Sequence, residues 1–144
     1  MILIALGIDA QGNKYVLGLR EGSTESTRVV RSLLSDLVER GLDAEHARLW
    51  VNDGGKALRK AIVDCFGRRA LIQRCQEYKR RNVVEHLPDH LHAGVGHAMR
   101  DAWRSGDTAR AKKQLLRLAG SLDAQHPGAA ASLHAGLDET LCRR

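Results

Sequence analysis

The sequence predicts an α/β first half followed by an all-helical second half, on three observations. Two apolar segments flank a tight-turn cluster at the start. Strand-like and helix-like patterns then alternate up to residue 72. From Gln73 onward the pattern is helical throughout.

Taken in order, MILIALGID and KYVLGLREG read as two strands. Asp9-Ala10-Gln11-Gly12-Asn13 between them supplies turn residues, so the pair reads as a β-hairpin. Ile2, Leu3, Ile4 and Leu6 form a nearly continuous apolar run, the pattern of a strand buried on both faces. Ser23 or Thr24 then caps a helix in which Val29, Val30, Leu33, Leu34, Leu37 and Val38 recur at helical spacing, and Gly41 ends it. Residues 46–51 form a short third strand. Lys56 to Phe66 form a helix with Leu58, Ile62, Val63 and Phe66 on one face, and Ala70-Leu71-Ile72 a fourth strand. The helical half divides into segments at about 76–87, 90–104, 107–121 and 127–142, punctuated by Pro88, Ser105-Gly106-Asp107 and His126-Pro127, with Asp107 or Thr108 as a cap.

The 144 residues suffice for a domain with a real core, at 43% hydrophobic and 28% charged content. No apolar run approaches the roughly 20 residues of a membrane helix, and the start lacks the basic n-region of a signal peptide. Cys65, Cys75 and Cys142 form no CxxC pair, which argues against a disulfide framework or structural zinc and fits reduced thiols in a cytoplasmic protein. The seven histidines include no HExxH, and there is neither a phosphate loop nor a GxSxG elbow. A net charge of +6 favours polyanionic partners, whereas 3% aromatic content weakens any model built on stacked single-stranded bases.

Two constellations could carry chemistry. In LWVNDGGKAL, Asp53 follows an apolar strand and precedes Gly54-Gly55 and the helix opened by Lys56. That puts a carboxylate at the C-terminal end of a strand, where α/β sheets bind ligands; the same Asn-Asp-Gly-Gly is also a good turn with a helix cap. In QRCQEYKRRNVV, Arg74, Lys79, Arg80 and Arg81 crowd a helix start with only Glu77 opposing them. They read either as phosphate contacts or as a solvated helix face, and Lys79, Arg80 and Arg81 cannot share one narrow face.

The ordered set ALGIDAQGNKYVLGL, STES, LVERGL, VNDGGKAL, QRCQEYKRRNVVEHLP and HPGAAASLHAGLDETL resembles successive landmarks of Mutator-type bacterial insertion-sequence transposases, over nearly the whole chain. The resemblance implies a partial ribonuclease H-like fold, α/β in class, with an all-helical insertion in the C-terminal half: catalytic core over residues 1–74, helical insertion region over 75–144. It matches Asp53 to the second catalytic aspartate of a DDE set, with Asn52 where a Ser-Asp-Gly motif has serine. Cys75 falls on the cysteine of a Cys-x-x-His signature whose histidine is replaced by Tyr78, which supplies no imidazole nitrogen.

The implied activity is DNA strand cleavage and joining with Mg2+ or Mn2+, two ions bridged by carboxylates, with Asp53 as metal ligand and Lys56, Arg74, Lys79, Arg80 and Arg81 as DNA contacts. The family's first aspartate lies on a strand before the hairpin and its glutamate after the helical insertion. The chain is therefore expected to be catalytically incompetent as it stands, with an uncovered sheet edge, marginal stability or self-association. Asp9 is expected in an Asx turn, and Asp138 and Glu139 on a solvated face of the last helix. The partners implied are transposon-end DNA and a homo-oligomer or mixed oligomer with a full-length transposase, with no membrane. The rival expectations are a DNA-binding module that does not cut and an unrelated αβ domain in which Asp53 only caps a helix.

Overall fold

Strand β1 (Ile2–Ile8) pairs antiparallel with β2 (Lys14–Glu21), with Ile4 opposite Leu19 and a bulge at Ala5/Leu6 that leaves Leu17 as the extra residue. A computed structural model of the chain describes residues 1–23 and 26–141. The turn is built by Asp9: its Oδ1 accepts from the Gln11 and Asn13 amides at 2.9 and 2.8 Å, and its Oδ2 from Asn13 Nδ2 at 2.9 Å. This is the expected Asx-turn role, and these bonds hold the Asp9 carboxyl below the usual carboxylate range.

The chain divides into two compact units, Met1–Ile72 and Gln73–Arg144. In the first, helix α1 (Thr27–Glu39) turns Val30, Leu34 and Leu37 inward against Ala61, Ile62 and Phe66 of α2 (Lys56–Phe66). Its cap is Ser26, whose side chain accepts from the Val29 amide at 3.3 Å, not Ser23; Thr24 lies outside the described residues. Gly41 follows α1 at φ 107, as a helix stop requires. Leu3, Ala5 and Leu17 of the hairpin pack on this core, as does Trp50, stacked on Phe66 at 4.7 Å between ring centroids. Strand β3 (Arg48–Asn52) pairs with β4 (Ala70–Arg74), and the boundary between units falls inside β4. Val63, expected on the buried face of α2, is 41% exposed.

β1 is not buried on both faces. Alternation along the strand leaves Ile2, Ile4, Leu6 and Ile8 at 64, 52, 60 and 67% exposure while Leu3 and Ala5 face the core. Among the described residues the strands form two separate two-stranded sheets, β1–β2 and β3–β4.

In the second unit, α3 (Gln76–Val84), α4 (Asp89–Arg104), α5 (Thr108–Asp123) and α6 (Pro127–His134) surround a core containing Val83, Met99, Leu115, Ala119 and Leu133. Pro88 precedes α4, Asp107 caps α5 through the Arg110 amide at 3.0 Å, and Pro127 opens α6. The last helix is shorter than its apolar pattern suggests. It stops at His134, Gly136 takes φ 64, and Asp138–Thr140 form a 3-10 turn instead of a continued helix. Thr140 locks that turn: its buried hydroxyl donates to the Leu137 carbonyl at 2.7 Å and accepts from Trp103 Nε1 at 3.0 Å. No helix among the described residues is long and apolar enough to cross a membrane.

Candidate functional site

Asp53 sits in the three-residue link between β3 and α2, held by two successive side-chain turns. Asn52, buried, accepts the Gly54 amide on Oδ1 at 2.8 Å, and exposed Asp53 accepts the Gly55 amide on Oδ1 at 2.9 Å. Gly54 at φ 96 lets the chain reverse, a conformation that side chains rarely adopt. The result is a carboxylate presented to solvent just before a helix N-terminus. Beside it, Asn52 Nδ2 is buried with no hydrogen-bond partner, a donor suited to an acceptor oxygen.

These residues do not make up a metal site. Two bridged divalent ions need several converging acidic groups, and among the described residues no three His, Cys, Asp or Glu side chains gather. Asp53 supplies one carboxylate, with one of its oxygens already bonded to a backbone amide. Asp9 is engaged by its own turn, and Asp138 pairs with Lys112 at 2.8 Å. The last acidic pair lies on the 3-10 turn, not on a helix.

Basic residues of the first unit line up on α2. Lys56, Arg59 and Lys60 fall at i, i+3 and i+4 and border one shallow hollow with Val63 and Asp64. Lys60 pairs with Asp64 at 3.3 Å, and Arg31 pairs with the same carboxylate, which lowers its pKa. Of this row the family resemblance picks out Lys56 alone; the helical spacing of Arg59 and Lys60 behind it is the signal that extends the row.

In the second unit the basic collar separates into three fates. Lys79 is not a surface cation: it is fully buried, and its ammonium donates to the Ser132 and Ala135 carbonyls at the C-terminal end of α6. Burial, and then the Arg74 charge, lower its pKa to about 8, with Glu139 opposing. Arg74 is half-buried beside it, donating to the Ala135 carbonyl at 3.0 Å while its Nε has no partner. Arg80 forks onto the Glu77 carboxylate, holding Glu77 below and itself above their usual ranges, and lies over Gly96, where a Cβ would come within 3.3 Å of Nη1. Arg81 remains outside, its guanidinium 5.7 Å from the centre of the half-exposed Tyr78 ring. Cys75 is partly buried and free. A second exposed row, Arg110, Lys113 and Arg117 on α5, belongs to neither sequence constellation, although i, i+3, i+7 spacing betrays it.

A family model described as "Transposase, Mutator family" matches residues 1–142. The transposase for insertion sequence element IS6120 of Mycolicibacterium smegmatis is 29% identical over 97% of this chain and 42% of its own length. That for IST2 of Acidithiobacillus ferrooxidans is 26% identical over 97% and 47%. That for ISRM5 of Rhizobium meliloti (strain 1021) is 28% identical over 97% and 34%. The chain thus spans less than half the length of each of these relatives. The chain belongs to the Mutator family of transposases.

Proposed function

We propose that this chain serves DNA transposition, contributing the Asp53 carboxylate and a basic surface to a ribonuclease H-like transposase core. The observation that carries the reading is Asp53 itself: an exposed carboxylate at the end of β3, fixed by the Gly55 amide, in a chain matched by the Mutator family over residues 1–142. The succession of hairpin, helix, strand, helix and strand supports the ribonuclease H-like assignment. The family suggests dependence on divalent metal, here Mg2+ or Mn2+, for which Asp53 is one ligand. Since the described residues assemble no further acidic ligands around it, the 144-residue chain alone holds DNA without cutting it. Transposon-end DNA is the ligand, met chiefly by Lys56, Arg59 and Lys60 on α2 and, in the other unit, by Arg81 and the α5 row. The chain joins a homo-oligomer or a mixed oligomer with a full-length transposase, and the mixed oligomer would supply the further carboxylates.

Two measurements test this. Fluorescence anisotropy with terminal-repeat duplexes should give salt-sensitive binding; Arg81→Ala should flatten the log–log salt slope by about 0.9 for each phosphate that Arg81 neutralises, and Asp53→Asn should leave affinity unweakened. Grafting residues 1–142 in place of the matching part of the IS6120 transposase should give a chimera whose transposition is abolished by Asp53→Asn. An active chimera indifferent to that substitution refutes the role of Asp53. Failure to bind DNA at low salt refutes the DNA-holding role, and cleavage by the isolated chain refutes its incompetence.

A further inference from the structure

Helix α5 reads TARAKKQLLRLAGSLD and holds no acidic residue before its last position. Ala111, Leu115, Ala119 and Leu122 face the core of the second unit, which turns Arg110, Lys113 and Arg117 to solvent. At i, i+3 and i+7 the three cations share one narrow arc, over about 10 Å of the helix axis. Among the described residues none of the three has an ion pair; Asp138 goes instead to Lys112, on the flank of the row, at 2.8 Å. Such a stripe attracts a polyanion. The same spacing continues to the exposed Gly120, three residues beyond Arg117. Glycine weakens a helix interior relative to alanine, and packing does not call for it here, since a Cβ at 120 would meet nothing within 4 Å. What glycine supplies at such a point is close approach: another backbone can lie directly against the helix.

We propose that α5 is the seat of a DNA duplex, held by its phosphates and without regard to base sequence. Arg110, Lys113 and Arg117 each neutralise a phosphate, and the bare surface at Gly120 lets the sugar-phosphate backbone settle against the helix. Phosphates along one strand advance about 3.4 Å of duplex axis apiece, so a stripe of about 10 Å on flexible side chains spans three of them. α5 carries no aromatic ring on which an unpaired base could stack. Leu116, 41% exposed, stands beside the row and not in it, so the row lacks the apolar anchor that an acidic protein partner would seek. Contacts of this kind position a duplex but carry no sequence information. The inference rests on the DNA-holding reading above and deepens it: the second unit grips DNA that the terminal repeat need not specify.

The test is fluorescence anisotropy on the full chain, with a terminal-repeat duplex and a scrambled duplex of the same length and composition. The triple variant Arg110→Gln, Lys113→Gln, Arg117→Gln should flatten the log–log salt slope by roughly 2.7, about 0.9 for each phosphate, and equally for both duplexes. Gly120→Leu should cost about tenfold in affinity at fixed salt. Its thermal unfolding, followed by circular dichroism, should stay level or rise, because leucine is the better helix former. Gly94→Leu on α4, an equally open position, should leave affinity unchanged. A wild type that binds duplex with a slope and affinity untouched by the triple variant overturns the α5 seat and leaves the DNA-holding reading in place. A loss confined to the terminal-repeat duplex overturns it too, as does an equal loss from Gly94→Leu and Gly120→Leu. So does tighter binding of the unpaired strand, or equal displacement of the duplex by polyglutamate at the same charge concentration. No duplex binding by wild type at low salt overturns both readings, whereas an active chimera indifferent to Asp53→Asn overturns only the role of Asp53.

Discussion

Lys79→Met, in a Trp50→Phe background so that Trp103 reports on the helical unit, tests the buried lysine anchor of the second unit. Lys79 is fully buried, its ammonium bonded to the Ser132 and Ala135 carbonyls, and its pKa falls from 10.5 to about 8. Between those two values the unfolded lysine keeps its proton and the folded one has lost it. The unfolded state then binds more protons, so stability rises with pH across that window and is lost again as pH falls through about 8. At 1.36 kcal/mol per pH unit the total is roughly 3 kcal/mol. Methionine abolishes the titration, relieves the burial of charge and orphans the Ser132 carbonyl, at a cost of about 1–3 kcal/mol; Ala135 keeps Arg74 as a donor. Near neutrality the two effects should almost cancel. Urea denaturation followed by Trp103 fluorescence should then show wild type gaining on the variant, by roughly 3 kcal/mol, as pH climbs past 10.5. Subtracting the variant cancels every other alkaline titration. A difference that stays flat, or that shrinks with pH, would show that Lys79 is solvated or held in a stabilising ion pair with Glu139, and the buried-anchor account would fall.

Thr140→Val removes the hydroxyl that bridges Leu137 and Trp103, and should lower stability by about 1–3 kcal/mol with a shift in Trp103 emission. Gly18→Ala drives a methyl to 2.8 Å from Leu33 and 3.2 Å from Arg40, so the hairpin should loosen from α1 at a cost of about 1–3 kcal/mol, seen in thermal unfolding. Asp9→Ala should weaken the hairpin turn. In wild type the contribution of Asp9 is present above 3.8 and disappears as acid takes pH through its lowered pKa, measurable as faster exchange of the Asn13 amide in acid.

Local pattern is enough where a residue acts through its neighbours in sequence. The Asp9 turn, the stop at Gly41, the Asp107 cap and α2 from Lys56 to Phe66 are all legible for that reason. Depth is not. Nothing local separates the two faces of β1, because apolar residues occupy both, and only the lack of a covering layer among the described residues leaves Ile2, Ile4, Leu6 and Ile8 bare. The final helix reads too long because apolar spacing persists beyond the break at Gly136. Lys79 holds a signal that charge obscures: it stands four residues before buried Val83, so the core-facing stripe of α3 runs through it. At the site, the exposure of Asp53 is legible, but whether other acidic groups join it depends on tertiary placement, which no spacing along one segment encodes.

The bare outer face of the hairpin also bears on how long a molecule of this chain survives. Four branched aliphatic side chains standing in water offer a foothold to holdase chaperones and to the proteases that follow them. Where no companion shields that face, the cellular level of the protein is governed by disposal more than by synthesis. Co-expression with whatever shields it should then lengthen the half-life without altering the messenger.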